Sequence, residues 1–222
     1  MIILLSPAKT MNLKHPQKDF HCFFEQDALK LRSSLTSMSV KRLMTFFNIS
    51  KDVALNTYDY YHSEDTYVTY DMFDGIAYRI LKQLSPQVPK NIYALSGLYG
   101  LLHLSDTIYP YRLDLKHPKK GSLVTYWRQK LYEKLKDEDM IISCLSSEYD
   151  VLLDERLHVI HVEIYKDNKK APSVDAKKVR AAFSVHLDTY GMNKVTSFEF
   201  MNYQVMSQTN TIIHIKYIKK ST

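Results

Sequence analysis

Cysteine is nearly absent from this chain. Only Cys22 and Cys144 occur in 222 residues, and they form no Cys-x-x-Cys pair. Neither a disulfide framework nor a cysteine zinc site is expected. Glycine is scarce too, at five residues, so no flexible linker is available, and one domain is predicted over residues 1–222. No apolar run approaches the ~20 residues that span a bilayer. The opening MIILLSPAKT has too short an apolar stretch, and no basic flank, for a secretory leader. These features predict a cytoplasmic protein without a membrane partner. The nine histidines never adopt a His-x3-His or similar ligand spacing, so no metal site and no cofactor is expected. A Gly-x4-Gly-Lys-[Ser/Thr] loop and a G-x-G-x-x-G turn are also missing, which argues against nucleoside triphosphates and dinucleotides.

What is present is an ordinary globular composition, 45% apolar, sufficient for a sizeable core. Lysine and arginine number 30 against 24 acidic residues, a net charge of +6. That mild excess favours polyanionic partners without identifying one. Met1–Leu5 is a continuous apolar run stopped by Ser-Pro, the pattern of a strand buried on both faces. Asn91–Leu95, Asp139–Leu145 and His158–Tyr165 read alike, while Lys194–Val205 and Thr211–Ile218 read as a hairpin. Between them, spacings near 3.6 predict helices over Phe24–Leu35, Val40–Phe47, Val53–Tyr61, Phe73–Leu84, Val124–Leu135 and Val174–Tyr190. The expected fold is α/β: a mixed sheet with a parallel centre covered by helices, and a helical lobe over roughly 24–84.

Ligands of open α/β sheets bind beyond the carboxyl ends of parallel strands. Three predicted strands place polar residues there. The first supplies Ser6, Lys9 and Thr10. The second supplies Ser96, Gly97, Tyr99 and Gly100, where glycine lets backbone approach a ligand. The third supplies Ser146 and Glu148. If the strands are parallel neighbours, these motifs converge on one cleft, with Lys9 as its fixed positive charge. The plainer alternative for each serine is a helix cap. Arg112, beside the rigid turn Tyr109-Pro110-Tyr111, suits bidentate pairing either with phosphate or with Asp114.

The same motifs carry a family resemblance. Ser6-Pro7-Ala8-Lys9-Thr10 after an N-terminal strand, then Leu95-Ser96-Gly97-Leu98-Tyr99-Gly100-Leu101-Leu102 with Pro110-Tyr111-Arg112-Leu113, resemble the signatures of the YaaA family of peroxide-stress proteins. Thr125-Tyr126-Trp127, Leu145–Tyr149 and Lys177-Lys178-Val179-Arg180 follow in the family's order. Departures are Ala181 where the family usually has glycine, Phe73–Leu81 in place of a more glycine-rich block, and Asn202-Tyr203 in place of Gly-Tyr. The resemblance implies a mixed α/β fold with a basic cleft, a helix-hairpin-helix element that binds DNA, and a part in the response to oxidative stress that lowers free intracellular iron and so limits oxidative DNA damage.

Ser39–Tyr61 is the hairpin candidate. Leu43, Phe46 and Phe47 face one way, Asn48-Ile49-Ser50 breaks the helix, and Val53 and Ala54 face back. Such an element holds the DNA backbone through amides at the start of its second helix. Lys41, Arg42, Asn48, Ser50 and Lys51 are its candidate contacts, and binding of this kind is tolerant of sequence. An ordinary helical hairpin is the alternative. Lys177, Lys178 and Arg180 lie off the apolar face of their helix and read either as further DNA contacts or as a solvated face. A DNA-binding monomer is thus the expectation, and the alternative is an enzyme acting on a nucleobase or nucleotide in the strand-end cleft.

Overall fold

A computed structural model describes residues 1–115 and 120–219. Its elements in chain order are β1 (Ile2–Leu5), α1 (Glu25–Thr36), α2 (Val40–Phe47), α3 (Lys51–His62), β2 (Tyr67–Val68), α4 (Thr69–Met72), α5 (Ile76–Leu84), β3 (Ile92–Ser96), β4 (Gly100–His103), β5 (Thr107–Ile108), α6 (Lys120–Leu135), β6 (Ile141–Cys144), α7 (Ser147–Asp150), β7 (Val159–Lys166), β8 (Lys169–Lys170), α8 (Ser173–Tyr190), β9 (Glu199–Phe200), β10 (Tyr203–Gln208) and β11 (Ile212–Tyr217).

The main sheet runs β4-β3-β1-β6-β7-β11-β10-β9, with β8 attached to β7. Pairings β3-β1, β1-β6, β6-β7 and β7-β11 are parallel; those of β4, β8, β9 and β10 are antiparallel. The α/β class with a parallel centre is therefore as the apolar runs predict. In β1 the alternation divides the core in two. Ile3 and Leu5 join the layer with Val179, Phe183 and Leu81, whereas Ile2 and Leu4 join that with Trp127, Leu131 and Leu152. A strand covered on both sides has no solvent face to mark with polar residues, hence its unbroken apolar sequence.

Three details differ from the sequence expectation. The strand predicted over Lys194–Val205 begins as a 3-10 turn, Met192–Ser197. Its true strand, β10, joins β11 as an antiparallel pair bulged between Val205 and Ser207. A further strand, β4, folds back on β3 with Ser96 opposite Gly100. Finally, α8 is enclosed on more than one side, because α5 packs along it and Ala181 is as buried as Val179 and Phe183. Alanine at 181 is small enough to fit that seam.

One buried acid makes the fold sensitive to pH. Asp106 accepts the His103 amide at Oδ2 (2.9 Å), while its carbonyl accepts the Thr69 amide and hydroxyl. Burial raises its carboxyl from 3.8 to about 6, against the opposing pull of the His103 N–H. A carboxyl raised in the folded state binds its proton more tightly there. Its contribution to stability is therefore complete below about pH 4 and lost as pH rises through 6. Asp106→Asn keeps an acceptor for His103 and removes the charge. Urea melts should show it stabilised by up to about 3 kcal/mol at pH 7.5 and little changed at pH 4. An equal effect at both pH values would exclude a buried, reluctantly ionised carboxylate.

Candidate functional site

Strands β1 and β6 lie side by side and parallel, so their carboxyl ends open onto the same space. Past β1 the chain enters Ser6-Pro7-Ala8-Lys9-Thr10; past β6 it enters Leu145-Ser146-Ser147-Glu148. The two turns are tied together. Ser6 Oγ accepts the Ser146 amide at 2.9 Å and donates to Ser146 Oγ at 3.2 Å. Beyond them lies a cleft of about 300 Å³, lined among others by Ser6, Lys9, Thr10, Ser146 and Glu148. Five strand-end residues from two motifs thus share one wall, a convergence that needs only parallel neighbours.

The rest of the lining comes largely from α5 and α8. Gly75, Ile76 and Ala77 line the cleft at the start of α5. The first backbone bond of that helix is Arg79 N–H to the Gly75 carbonyl at 3.0 Å, no side chain caps it, and its first turn holds no acid. Its leading amides and its positive dipole end are left open. A Cβ at Gly75 would stand 3.2 Å from Ala8 Cβ, so glycine permits the close approach of the α5 start to the first turn. Tyr78 closes the seam by donating its hydroxyl to the Ser6 carbonyl at 3.1 Å. From α8 come Ser173, Lys177 and Arg180, spaced so as to fall on one stripe of the helix.

The charges around this space are unequal in their pairing. Lys9 reaches Asp114 at 3.0 Å, and Arg112 approaches the same carboxylate at 3.6 Å. Asp114 therefore answers a good part of the Lys9 charge, and Arg112 sits behind this bridge instead of lining the cleft. Arg180 has no such ion pair among the described residues, and its Nε, like that of Arg112, is buried without a hydrogen-bond partner. Burial lowers its pKa, with only partial compensation from Cys144 and Asp150. The Asp150 carboxylate is engaged elsewhere, accepting from Ser143 Oγ at 2.7 Å and lying 3.3 Å from His161 Nδ1. At the cleft floor, burial pushes the Cys144 thiol up to about 11, so it stays protonated at neutral pH and is a poor nucleophile.

The central glycine motif lies elsewhere. Ser96 is fully buried, and its Oγ accepts the amides of Leu98 and Tyr99, both at 3.1 Å. Gly97 gives its carbonyl to Trp127 Nε1 at 2.8 Å, and Tyr99 donates to the Tyr109 carbonyl at 2.9 Å. Gly100 has φ +67° and abuts Trp127 and Phe24. These four residues build the β3–β4 turn and its packing. A chain that reverses into an antiparallel neighbour does not step out over the sheet end, so the motif contributes no wall to the cleft. Its place is taken by Gly75–Tyr78, whose signal in the sequence is a glycine just before a helix with an acid-free first turn.

The hairpin candidate folds as two helices joined by three residues. Ser39 caps α2 by accepting the Arg42 amide at 3.4 Å. Asn48 ends α2 in the left-handed region, φ 51° and ψ 57°, a conformation asparagine tolerates. Ser50 stands at the head of α3 without a side-chain cap, and Ala54 N–H to the Ser50 carbonyl, 3.0 Å, is the first bond there. Lys41, Arg42, Asn48, Ser50 and Lys51 are all exposed. Lys178 is partly buried on α8, and it is not among the cleft residues. The structure thus separates the cationic residues into a hairpin group and a cleft pair, Lys177 and Arg180.

No described helix is long and apolar enough to cross a membrane. Among the described residues no group of three or more His, Cys, Asp or Glu is placed to hold a metal ion.

Comparison with known proteins gives the family. The chain is 27% identical to a UPF0246 protein of Streptococcus uberis, with 99% of each chain covered. It is 28% identical to a UPF0246 protein of Streptococcus sanguinis over 91% of each, and 30% identical to one of Desulfitobacterium hafniense over 71% of this chain and 69% of the relative. The model of the family described as peroxide stress protein YaaA matches residues 1–209, a span that contains both strand-end turns, the α5 start and the whole of α8. This chain therefore belongs to the YaaA family of peroxide stress proteins.

Proposed function

We propose that this protein binds DNA through its backbone, without regard to sequence, as its part in the response to oxidative stress, and that it thereby helps limit free intracellular iron and oxidative DNA damage. The stress context follows from the family. The observation that carries DNA binding is the α2–α3 turn: a left-handed Asn48, open amides at the head of α3, and exposed Lys41, Arg42 and Lys51 around it. A helix start offers N–H donors and a positive dipole end to a phosphate, and flanking cations add charge. Asp52, in the first turn of α3, opposes this and weakens the contact.

Fluorescence anisotropy with a duplex, across a salt series, tests the proposal. Affinity should fall linearly with salt on logarithmic axes. Combined Lys41→Ala, Arg42→Ala and Lys51→Ala substitutions should flatten the slope by about 3, near one per lost phosphate contact, equally for unrelated sequences. Asp52→Asn should tighten binding. Undetectable binding at low salt, or a slope indifferent to the triple substitution, would reject the hairpin as the contact.

A second reading concerns the strand-end cleft as a site for a nucleotide or nucleobase, possessing an enzymatic activity. Its support is the convergence of Ser6, Lys9, Ser146 and Glu148.

A further inference from the structure

The partly buried guanidinium of Arg180 is the least satisfied charge along the cleft. A cation taken out of water without a counter-charge is costly, and proteins usually pair it or leave it solvated. Here its Nε is buried without a partner, and no described carboxylate forms an ion pair with it. One helical turn away on the same stripe, Lys177 is exposed and also lines the cleft. Ile76 and Ala77 line the same cleft at the start of α5, a helix of nine residues with no acid in its first turn and no side-chain cap. Ser6 and Ser146 supply hydroxyls at the strand ends.

The lining carries Lys177, Arg180 and the Asp114-bound Lys9 against one carboxylate, Glu148, and this cationic excess beside a helix start suits a compact, multiply charged anion with several oxygens. A phosphomonoester carries about −1.5 to −2 charges at neutral pH and three acceptor oxygens. A phosphodiester within a strand carries one charge and is substituted on both sides, so it fits the end of such a cleft less well. Leu5, Pro7, Ile76 and Tyr78 provide apolar walls for the organic part of the ligand, and about 300 Å³ is at the small end of the range for small-molecule sites.

We propose that the strand-end cleft is a phosphomonoester site, in which Arg180, Lys177 and the amides opening α5 hold the phosphate. This deepens the second reading of the cleft and is independent of the DNA contact at the hairpin. A phosphomonoester reaches such a site from either of two sources, a free mononucleotide or the 5′-phosphorylated end of a DNA strand.

Isothermal titration calorimetry on the full chain separates the outcomes. Inorganic phosphate and dTMP should bind, with dTMP competing against phosphate, and thymidine should not bind. Lys177→Ala, at an exposed position with no structural burden, should weaken dTMP on the order of tenfold, the loss of one charge-assisted contact. Arg180→Gln should weaken it more, with near-UV circular dichroism confirming that the fold is kept. Both variants should leave the salt slope for duplex DNA unchanged, whereas the hairpin triple variant should change that slope and leave dTMP binding intact. A 5′-phosphorylated oligonucleotide preferred over its 5′-hydroxyl twin points to strand ends as the source; dTMP preferred over both points to free nucleotide. Thymidine binding as tightly as dTMP, no binding of either, or a Lys177→Ala variant that binds dTMP like the wild type would overturn the proposal.

Discussion

Gly100→Ala should unfold the protein or cost it more than about 4 kcal/mol, the range reserved for severe core defects. A Cβ at this position would lie 2.7 Å from Trp127 Cζ3, 2.8 Å from Trp127 Cε3 and 2.9 Å from Phe24 Cδ2. Trp127 is fully buried and cannot withdraw, pinned also by its hydrogen bond to the Gly97 carbonyl, while Phe24 is partly buried against it. The positive φ adds backbone strain for any L side chain. The measurement is the denaturation midpoint, or soluble yield if no folded protein is obtained. It also discriminates between two roles for the glycine. If Gly100 served close approach of a ligand, alanine would damage binding and leave the fold near wild-type stability. A stable, folded Gly100→Ala protein would therefore contradict the packing described for β3 and β4.

The second large effect is expected at Arg32. Its guanidinium donates to the Tyr61 carbonyl at 2.6 Å, the Tyr60 carbonyl at 3.2 Å and the Ser63 carbonyl at 2.9 Å. It thereby closes the C-terminal end of α3, where the last carbonyls of a helix have no partners of their own. The group also lies over the Tyr109 ring, 4.3 Å from its centroid. Arg32→Ala removes all of these contacts at once, for an expected loss of about 3 kcal/mol in urea or guanidinium melts. Arg32→Lys keeps the charge but lacks the planar fork that serves several carbonyls, so it should recover only part of the loss. Full recovery with lysine would show that charge alone matters there. Because α3 carries the proposed DNA contact at its other end, either variant should also loosen the hairpin, and its DNA affinity should fall with its stability.

How much of this was legible in the sequence depended on whether the deciding partner lay nearby in the chain. The buried strands were: Met1–Leu5 and Asp139–Leu145 contain β1 and β6, and Asn91–Leu95 and His158–Tyr165 contain most of β3 and β7, since a strand covered on both faces, as β1 and β6 are, has little polar sequence. Val40–Phe47 matches α2 because a capping serine and an asparagine break mark its two ends. Half of the cleft followed as well, because Ser6 and Ser146 stand directly after strands that turned out to be parallel neighbours. The other half depends on long-range packing. Nothing local says that Gly75 faces Ala8, or that Arg180 is covered by more than its own helix. Helical periodicity identifies one buried stripe, and α8 is buried on more than one. The glycine motif misled for the opposite reason. Its glycines are required by Trp127 and Leu113, residues contributed by distant parts of the chain, and no local rule separates that need from closeness to a ligand.

The position of β1 has a consequence for how the protein is made. Strand β1 is fully apolar, central in the sheet, and paired in register with Ile92 on one side and Ile141 on the other, both made after it. Until both partners exist, it has nowhere to hydrogen-bond and nothing to cover it. Such non-local pairing places the closure entropy ahead of the contacts that repay it. The nascent chain thus carries β1 as an uncovered apolar segment until β6 has been made, and sheet formation becomes a cooperative event that gathers β1, β3 and β6 together. The two strand-end turns, joined through Ser6 and Ser146, can come into being only in that same step.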